Sequence, residues 1–270
     1  MQCLTDKHFT YLSILVLSFA SQGAKAQNYQ LIKSLPAKEV KIVTDYLANL
    51  YLIENYRLSL YDKNGNSSFI YEDYSHGKIS SVDVSDPLKI LVYYEDYMHL
   101  KVLDKTLSEI GSYNLNDLGY YSISALAHAR DDNFWVFDNI AFRLKKMDAA
   151  GTALYSSEKF NLLFKETVQV STMLDYENFV YLNDPKNGIY VFDRFGTYQK
   201  RIPLLELNSF QIIQNKLIYF KENSLFSYDL LSFKEEQMPL PEWLQAKASE
   251  LRKDRVYVVE SDKVSIFSFK

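Results

Sequence analysis

Chemistry in this sequence would have to draw on four histidines, one cysteine and scattered carboxylates. His8 lies near the N-terminus, and His76, His99 and His128 fall in three separate stretches. There is no His-x-His or His-Glu-x-x-His pair, so a histidine metal site would need residues assembled from distant segments. A Gly-x-Ser-x-Gly elbow, a phosphate-cradling glycine loop and a dinucleotide fingerprint are all missing as well. The carboxylate neighbours Glu72-Asp73, Asp131-Asp132 and Glu235-Glu236 would point to opposite faces of a strand or stand solvated in a turn. Asp62-x-Asn64-x-Asn66 begins like a calcium loop. Its sixth position is Ser67 where glycine is needed and its twelfth is Asp73 rather than Glu, so it reads as a hairpin turn. The expectation is a non-catalytic chain with no cofactor and no metal.

What recurs instead is an aspartate that ends an alternating apolar segment. Leu60-Tyr61-Asp62, Val102-Leu103-Asp104, Lys146-Met147-Asp148, Val191-Phe192-Asp193 and Ser227-Tyr228-Asp229 place these aspartates 42, 44, 45 and 36 residues apart. Ile266-Phe267-Ser268 is a sixth copy with Ser in place of Asp. A residue at the same turn of every repeat reads as a structural cap, so Asp62, Asp104, Asp148, Asp193 and Asp229 are expected to close turns with their side chains.

Around each copy the same text of short strands returns. In the fourth unit Val168–Ser171 alternates, Phe179–Leu182 is a buried run, Gly188–Phe192 leads into Asp193, and Thr197–Ile202 leaves the turn. Four antiparallel strands in about forty residues make one propeller blade. Six central hairpins follow in order, from Leu50–Ile53 with Arg57–Leu60 to Val256–Val259 with Val264–Phe267. The expected fold is therefore all-β, a six-bladed β-propeller of four-stranded antiparallel blades over residues 27–270. Its last unit ends after three strands, and Tyr29–Leu35 is expected to supply the fourth, closing the ring and removing the open sheet edges. Pro241 to Lys253, with Trp243, Leu244, Ala248 and Leu251 at helical spacing, reads as a short helical insertion before or overlapping the first strand of the last blade.

The N-terminus reads as a targeting segment. An apolar run from Tyr11 to Ala20 precedes Ala24-Lys25-Ala26, a small-x-small pattern that sets residues 1–26 apart as a signal peptide. The run is too short to span a bilayer. Cys3 precedes the run and would leave with it, so the mature chain is expected to carry no disulfide and no thiol chemistry. Loss of Asp6, Lys7 and Lys25 moves the formal charge from −4 to −5. That mild acidity excludes a basic nucleic-acid surface.

The blades resemble the six-bladed propeller superfamily of NHL-like or YWTD-like repeats, on a degenerate apolar-apolar-Asp-x-x-Gly turn kept in full at Asp62, Asp148 and Asp193. In general style the chain is similar to exported envelope propellers of Bacteroidota-type bacteria, some of which accompany the type 9 secretion and gliding machinery, one as a plug-like partner of its outer-membrane translocon. That resemblance implies a protein partner in the envelope; with no sorting tail apparent after the last blade, retention in the periplasm is expected, with surface exposure the alternative. The residues favour the same class, since 22 tyrosines are present. Many lie on strands, where blade packing needs flat side chains. Tyr71, Tyr74, Tyr93, Tyr94, Tyr97, Tyr120 and Tyr121 lie in loops or at strand edges, where they either pad the inter-blade seams or form a partner-facing aromatic surface on one face of the disc, with Tyr93, Tyr94, Tyr97, Tyr120 and Tyr121 the expected partner-binding set. The competing readings are a hydrolase or lyase built across the central channel, and a sugar or peptide sensor with a pocket at a channel mouth.

Overall fold

The computed structural model describes residues 29–241 and 243–269; the signal peptide expected over residues 1–26 lies outside them. The described strands form six four-stranded antiparallel sheets, one per blade. Strand β1 (Tyr29–Pro36) precedes the first blade, β2 (Lys41–Thr44), β3 (Leu50–Glu54), β4 (Arg57–Tyr61) and β5 (Ser67–Glu72). The second holds β6 (Ser81–Asp83), β7 (Ile90–Tyr94), β8 (His99–Leu103) and β9 (Glu109–Asn114). The third holds β10 (Ile123–His128), β11 (Phe134–Asp138), β12 (Arg143–Met147) and β13 (Ala153–Ser156). The fourth is β14 (Thr172–Tyr176), β15 (Phe179–Asp184), β16 (Gly188–Asp193) and β17 (Tyr198–Ile202). The fifth is β18 (Gln211–Ile213), β19 (Lys216–Lys221), β20 (Ser224–Asp229) and β21 (Glu235–Pro239). The sixth takes β22 (Ala248–Arg252), β23 (Arg255–Val259) and β24 (Lys263–Phe269), and β1 pairs with β24 from Tyr29↔Phe269 to Pro36↔Lys263 to complete it. The ring is closed by joining the two ends of the described chain in one sheet, which leaves no blade incomplete.

Burial explains why the middle strands read as continuous apolar runs. Every residue of β7 and β11 is buried, because each blade is covered on both faces by its neighbours. The outer strands β5 and β13 are almost wholly exposed. Large rings fill the seams: Phe160 lies flat on Phe192 at 5.2 Å, and Phe137 meets Phe160 edge-on at 4.8 Å.

The recurring aspartates sit at the turns between third and outer strands. Asp62 Oδ1 accepts the N–H groups of Asn64 and Asn66 at 2.9 and 2.8 Å, and Asp193 Oδ1 those of Phe195 and Thr197 at 2.9 and 3.0 Å. Asp104 and Asp148 make the same pair of bonds in their blades, and Asp229 Oδ1 accepts the N–H groups of Leu231 and Ser232, two and three residues on. Three residues after Asp62, Asp148 and Asp193 the backbone turns left-handed at Gly65, Gly151 and Gly196, with φ of +78°, +79° and +83°. After Asp104 the same place is taken by Leu107 at φ +60°, which is why the glycine signature fades there.

Two expectations are corrected. The described residues of the stretch Pro241 to Lys253 form no helix: Ala248–Arg252 is β22, laddered to β23 from Ala248↔Val259 to Arg252↔Arg255. Helical spacing yields there to a strand that lines the central channel, a case of tertiary pairing overriding local pattern. The fourth blade opens at Thr172 rather than Val168. Gln169 N–H instead caps Asp184 Oδ2 at 2.8 Å, so the alternating stretch is a crossover. The described helices are the short α1 (Phe160–Leu163) and one 3-10 turn at Glu95–Tyr97.

Candidate functional site

The two faces of the disc are built from different connections. Turns from inner to second strand, and from third to outer strand, emerge on one face together with the repeat aspartates. Turns from second to third strand share the other face with the crossovers to the next blade. Each blade has a backbone hydrogen bond that ties these together: Asp73 to Tyr56, Leu115 to Met98, Phe160 to Phe142, Glu206 to Pro185, Leu240 to Asn223 and Ala37 to Asp262. Tyr74, Tyr97 and Tyr121 fall on this crossover face, whereas Tyr46, in the inner-to-second turn of the first blade, falls on the other.

The expected aromatic surface divides there. Tyr97 and Tyr121 are 56% and 65% exposed on the crossover face. Tyr93, Tyr94 and Tyr120 are buried, which corrects their assignment to a partner surface. Tyr93 and Tyr94 end β7, a strand covered on both sides. The Tyr93 hydroxyl donates to the Ile123 carbonyl at 3.0 Å, and that of Tyr94 to Tyr71 Oη at 3.2 Å. Tyr120 turns inward to reach the Gly151 carbonyl at 3.3 Å. Burial raises the phenol pKa of all three.

In their place the crossovers and second-to-third turns present other exposed side chains. Tyr74 (71% exposed) packs on Tyr56 with centroids 5.3 Å apart, and Trp243 (69% exposed) projects from the crossover into β22. Ile140 and Leu162 are exposed on the same face. The usable signal was position, since each of these lies in a second-to-third turn or a crossover, whereas strand-edge tyrosines pack into seams.

Beside Tyr97 lies a polar cluster that sequence spacing had kept apart. The rings of His76 and His99 stack at 3.9 Å, and His76 also meets Tyr97 edge-on at 6.3 Å. Asp73 gathers the group. It accepts from the Ser75 N–H at 2.8 Å, pairs with His76 Nδ1 at 2.8 Å and with Lys101 Nζ at 3.1 Å, and takes the Tyr71 hydroxyl at 3.3 Å. Although burial works in the other direction, the Ser75, His76 and Lys101 donors hold the Asp73 carboxyl well below the usual range. Lys101 is shared with Glu109 at 2.9 Å, and His99 Nε2 lies 2.8 Å from Ser112 Oγ. The third histidine, His128, stands apart on β10, and no group of three metal-ligating side chains occurs among the described residues.

The inner strands of all six blades enclose a central cavity of about 180 Å³. Asp83 lines it from the second blade, and a charged constellation joins three other blades. Glu250 Oε2 accepts Thr44 Oγ1 at 2.6 Å and Gln211 Nε2 at 3.0 Å, while Arg252 Nε donates to the Thr44 carbonyl at 3.2 Å. Burial drives the Glu250 pKa up to about 7, against the pull of Arg252. These groups spend their bonds largely on one another and hold the ring shut.

No protein-family model and no curated protein sequence matches the chain. Among solved structures it is similar to a catalytically inactive virginiamycin B lyase from Staphylococcus aureus with quinupristin, at 13% identity and a TM-score of 0.60 over 89% of this chain and 99% of that one. It is similar to the Pan2 WD40 domain of Neurospora crassa at 9% identity and a TM-score of 0.57, over 86% and 81% of the two chains. A chain of a mitotic checkpoint complex matches at 10% identity and 0.57, over 99% and 98%. At these identities the likeness is one of fold.

Proposed function

We propose that this chain is an exported, non-catalytic β-propeller that binds a protein partner of the cell envelope as an accessory or scaffold subunit. The observation that carries this reading is the set of exposed Tyr74, Tyr97, Tyr121 and Trp243 side chains on one face. Tyr and Trp combine large apolar area with a polar tip, and they anchor protein interfaces out of proportion to their numbers. The opposite face also exposes large side chains, among them Tyr46, Leu231 and Phe233. There, however, Phe233 lies under Lys200 Nζ at 5.1 Å, and Phe195 is covered by the Arg194 guanidinium at 4.7 Å and flanked by Tyr155.

Export is supported by the apolar run Tyr11 to Ala20 and the Ala24-Lys25-Ala26 pattern. No helix among the described residues is long and apolar enough to cross a membrane. An outer-membrane secretion assembly of type 9 character is the partner that the resemblance of the chain suggests. A channel hydrolase or lyase has less support, because Glu250, Thr44 and Gln211 bond to one another. The test is affinity purification of the tagged protein from gently solubilised envelopes of its own host, beside a variant with Tyr74, Tyr97, Tyr121 and Trp243 changed to Ser. The reading expects a stoichiometric envelope protein with the wild type that the variant loses; recovery of the propeller alone from both would overturn it.

A further inference from the structure

A second cavity, of about 230 Å³, opens away from the channel at the seam between the second and third blades. Leu91, Val102, Ile110, Tyr113 and Phe134 line it, with Tyr113 set edge-on to Phe134 at 5.7 Å. It exceeds the roughly 150 Å³ that admits a benzene ring into an apolar cavity. Three groups able to answer a polar head also line it: His128, Lys89 and Asp132. Lys89 and Asp132 come from inner-to-second turns of adjacent blades and pair at 2.5 Å, placing the opening on the face of the repeat aspartates.

His128 is the unexplained member. It is only 8% exposed, and its Nε2 is sealed from solvent with no hydrogen-bond partner. The backbone holds it there, since Asp83 Oδ2 accepts the His128 N–H at 2.8 Å and the residue faces Phe134 in the β10–β11 ladder. A buried imidazole left unpaired is unfavourable, and a ligand group that paired with it would remove that cost.

We propose that this seam cavity binds a small molecule with an apolar, aryl-sized body and a carboxylate head, the body lying among Leu91, Val102, Ile110, Tyr113 and Phe134 and the head meeting Lys89 at the mouth and His128 Nε2 once the imidazole turns out of the cavity wall. Two cationic or cation-capable donors favour a carboxylate over a neutral or positive head. Asp132 is the group that would yield, because its side chain is 69% exposed and can turn to solvent as Lys89 turns to the ligand. Gly111 lines the same space, and a Cβ there would stand 3.2 Å from the Tyr113 ring.

The test titrates the full mature chain with benzoate, benzyl alcohol and benzylamine by calorimetry, and follows the three imidazoles by NMR. Benzoate is expected to bind about tenfold or more tightly than either of the others, and to shift the His128 resonances while leaving His76 and His99 unmoved. His128→Phe should weaken benzoate about tenfold, and Lys89→Met should bring benzoate down to the level of benzyl alcohol. If His128→Phe does not fold, Gly111→Val, which fills the cavity from its wall, should abolish binding of all three. Absence of benzoate binding to the wild type overturns the proposal. So does benzylamine binding as tightly as benzoate, or benzoate affinity unchanged in His128→Phe or in Gly111→Val.

Discussion

Glu250 in the sixth blade accepts a 2.6 Å hydrogen bond from the hydroxyl of Thr44 in the first, 206 residues away along the chain. Gln211 of the fifth blade reaches both of them, at 3.0 Å each. The contact therefore crosses the line where the ring closes, on the channel side, while the β1–β24 ladder closes it further out. Thr44→Val keeps the shape and removes the donor, leaving a buried carboxyl short of one partner. It should lower stability by about 1–3 kcal/mol in urea denaturation, and Thr44→Ser should restore most of the loss.

The same carboxyl makes stability depend on pH in a defined direction. Its pKa is raised from 4.5 to about 7 in the folded protein, so the folded state holds the proton more tightly than the unfolded chain does. The contribution is complete below the ordinary carboxylate value and is lost as pH rises through about 7. Glu250→Gln should remove a fall in unfolding free energy of order 3 kcal/mol at most between those limits. Asp73 acts in a separate window with the opposite sign: its lowered pKa stabilises above the ordinary carboxylate range, and that stability is lost as pH falls below it. Denaturation midpoints measured at intervals across both windows, in wild type and Glu250→Gln, separate the two.

Each repeat aspartate closes its turn with two backbone bonds. Asp193→Ala and Asp148→Ala should each lower stability by about 1–2 kcal/mol without affecting any ligand, and the double variant should be close to additive because the turns belong to different blades. Thermal unfolding of the three variants checks this.

The fold was legible because blades repeat their instructions. Five aspartates at near-constant spacing and six apolar hairpins carry the same message, so a faded copy such as Ser268 or the glycine-less turn at Leu107 does not erase it. Position within the blade was harder to read. Tyr94 and Tyr97 stand three residues apart, one in a covered strand and one in a solvent turn, and only the end of β7 separates them. Likewise His76 and His99 look unrelated in sequence, since their stacking depends on how one blade's crossover lies against the next blade's third strand. The helical spacing after Pro241 misled because an inner strand is set by its ladder to β23, a contact no local window contains.

That division gives a prediction of its own. Tyr94→Ser removes a fully buried ring and its bond to Tyr71 and should lower stability by about 3–5 kcal/mol. Tyr97→Ser with Tyr121→Ser should leave the unfolding midpoint within about 0.5 kcal/mol of wild type for each substitution. Circular dichroism melts of both variants decide whether the exposed tyrosines are structural or free to serve a partner.

The most direct measurement places a photo-crosslinking amino acid at Tyr97, Tyr121 or Trp243, or at Leu231 or Phe233 on the opposite face, and irradiates cells of the native host. A binding surface on the crossover face predicts one discrete envelope protein joined through the first three positions and none through the last two. Adducts confined to Leu231 and Phe233, or absent at every position while the protein is folded and exported, would contradict it.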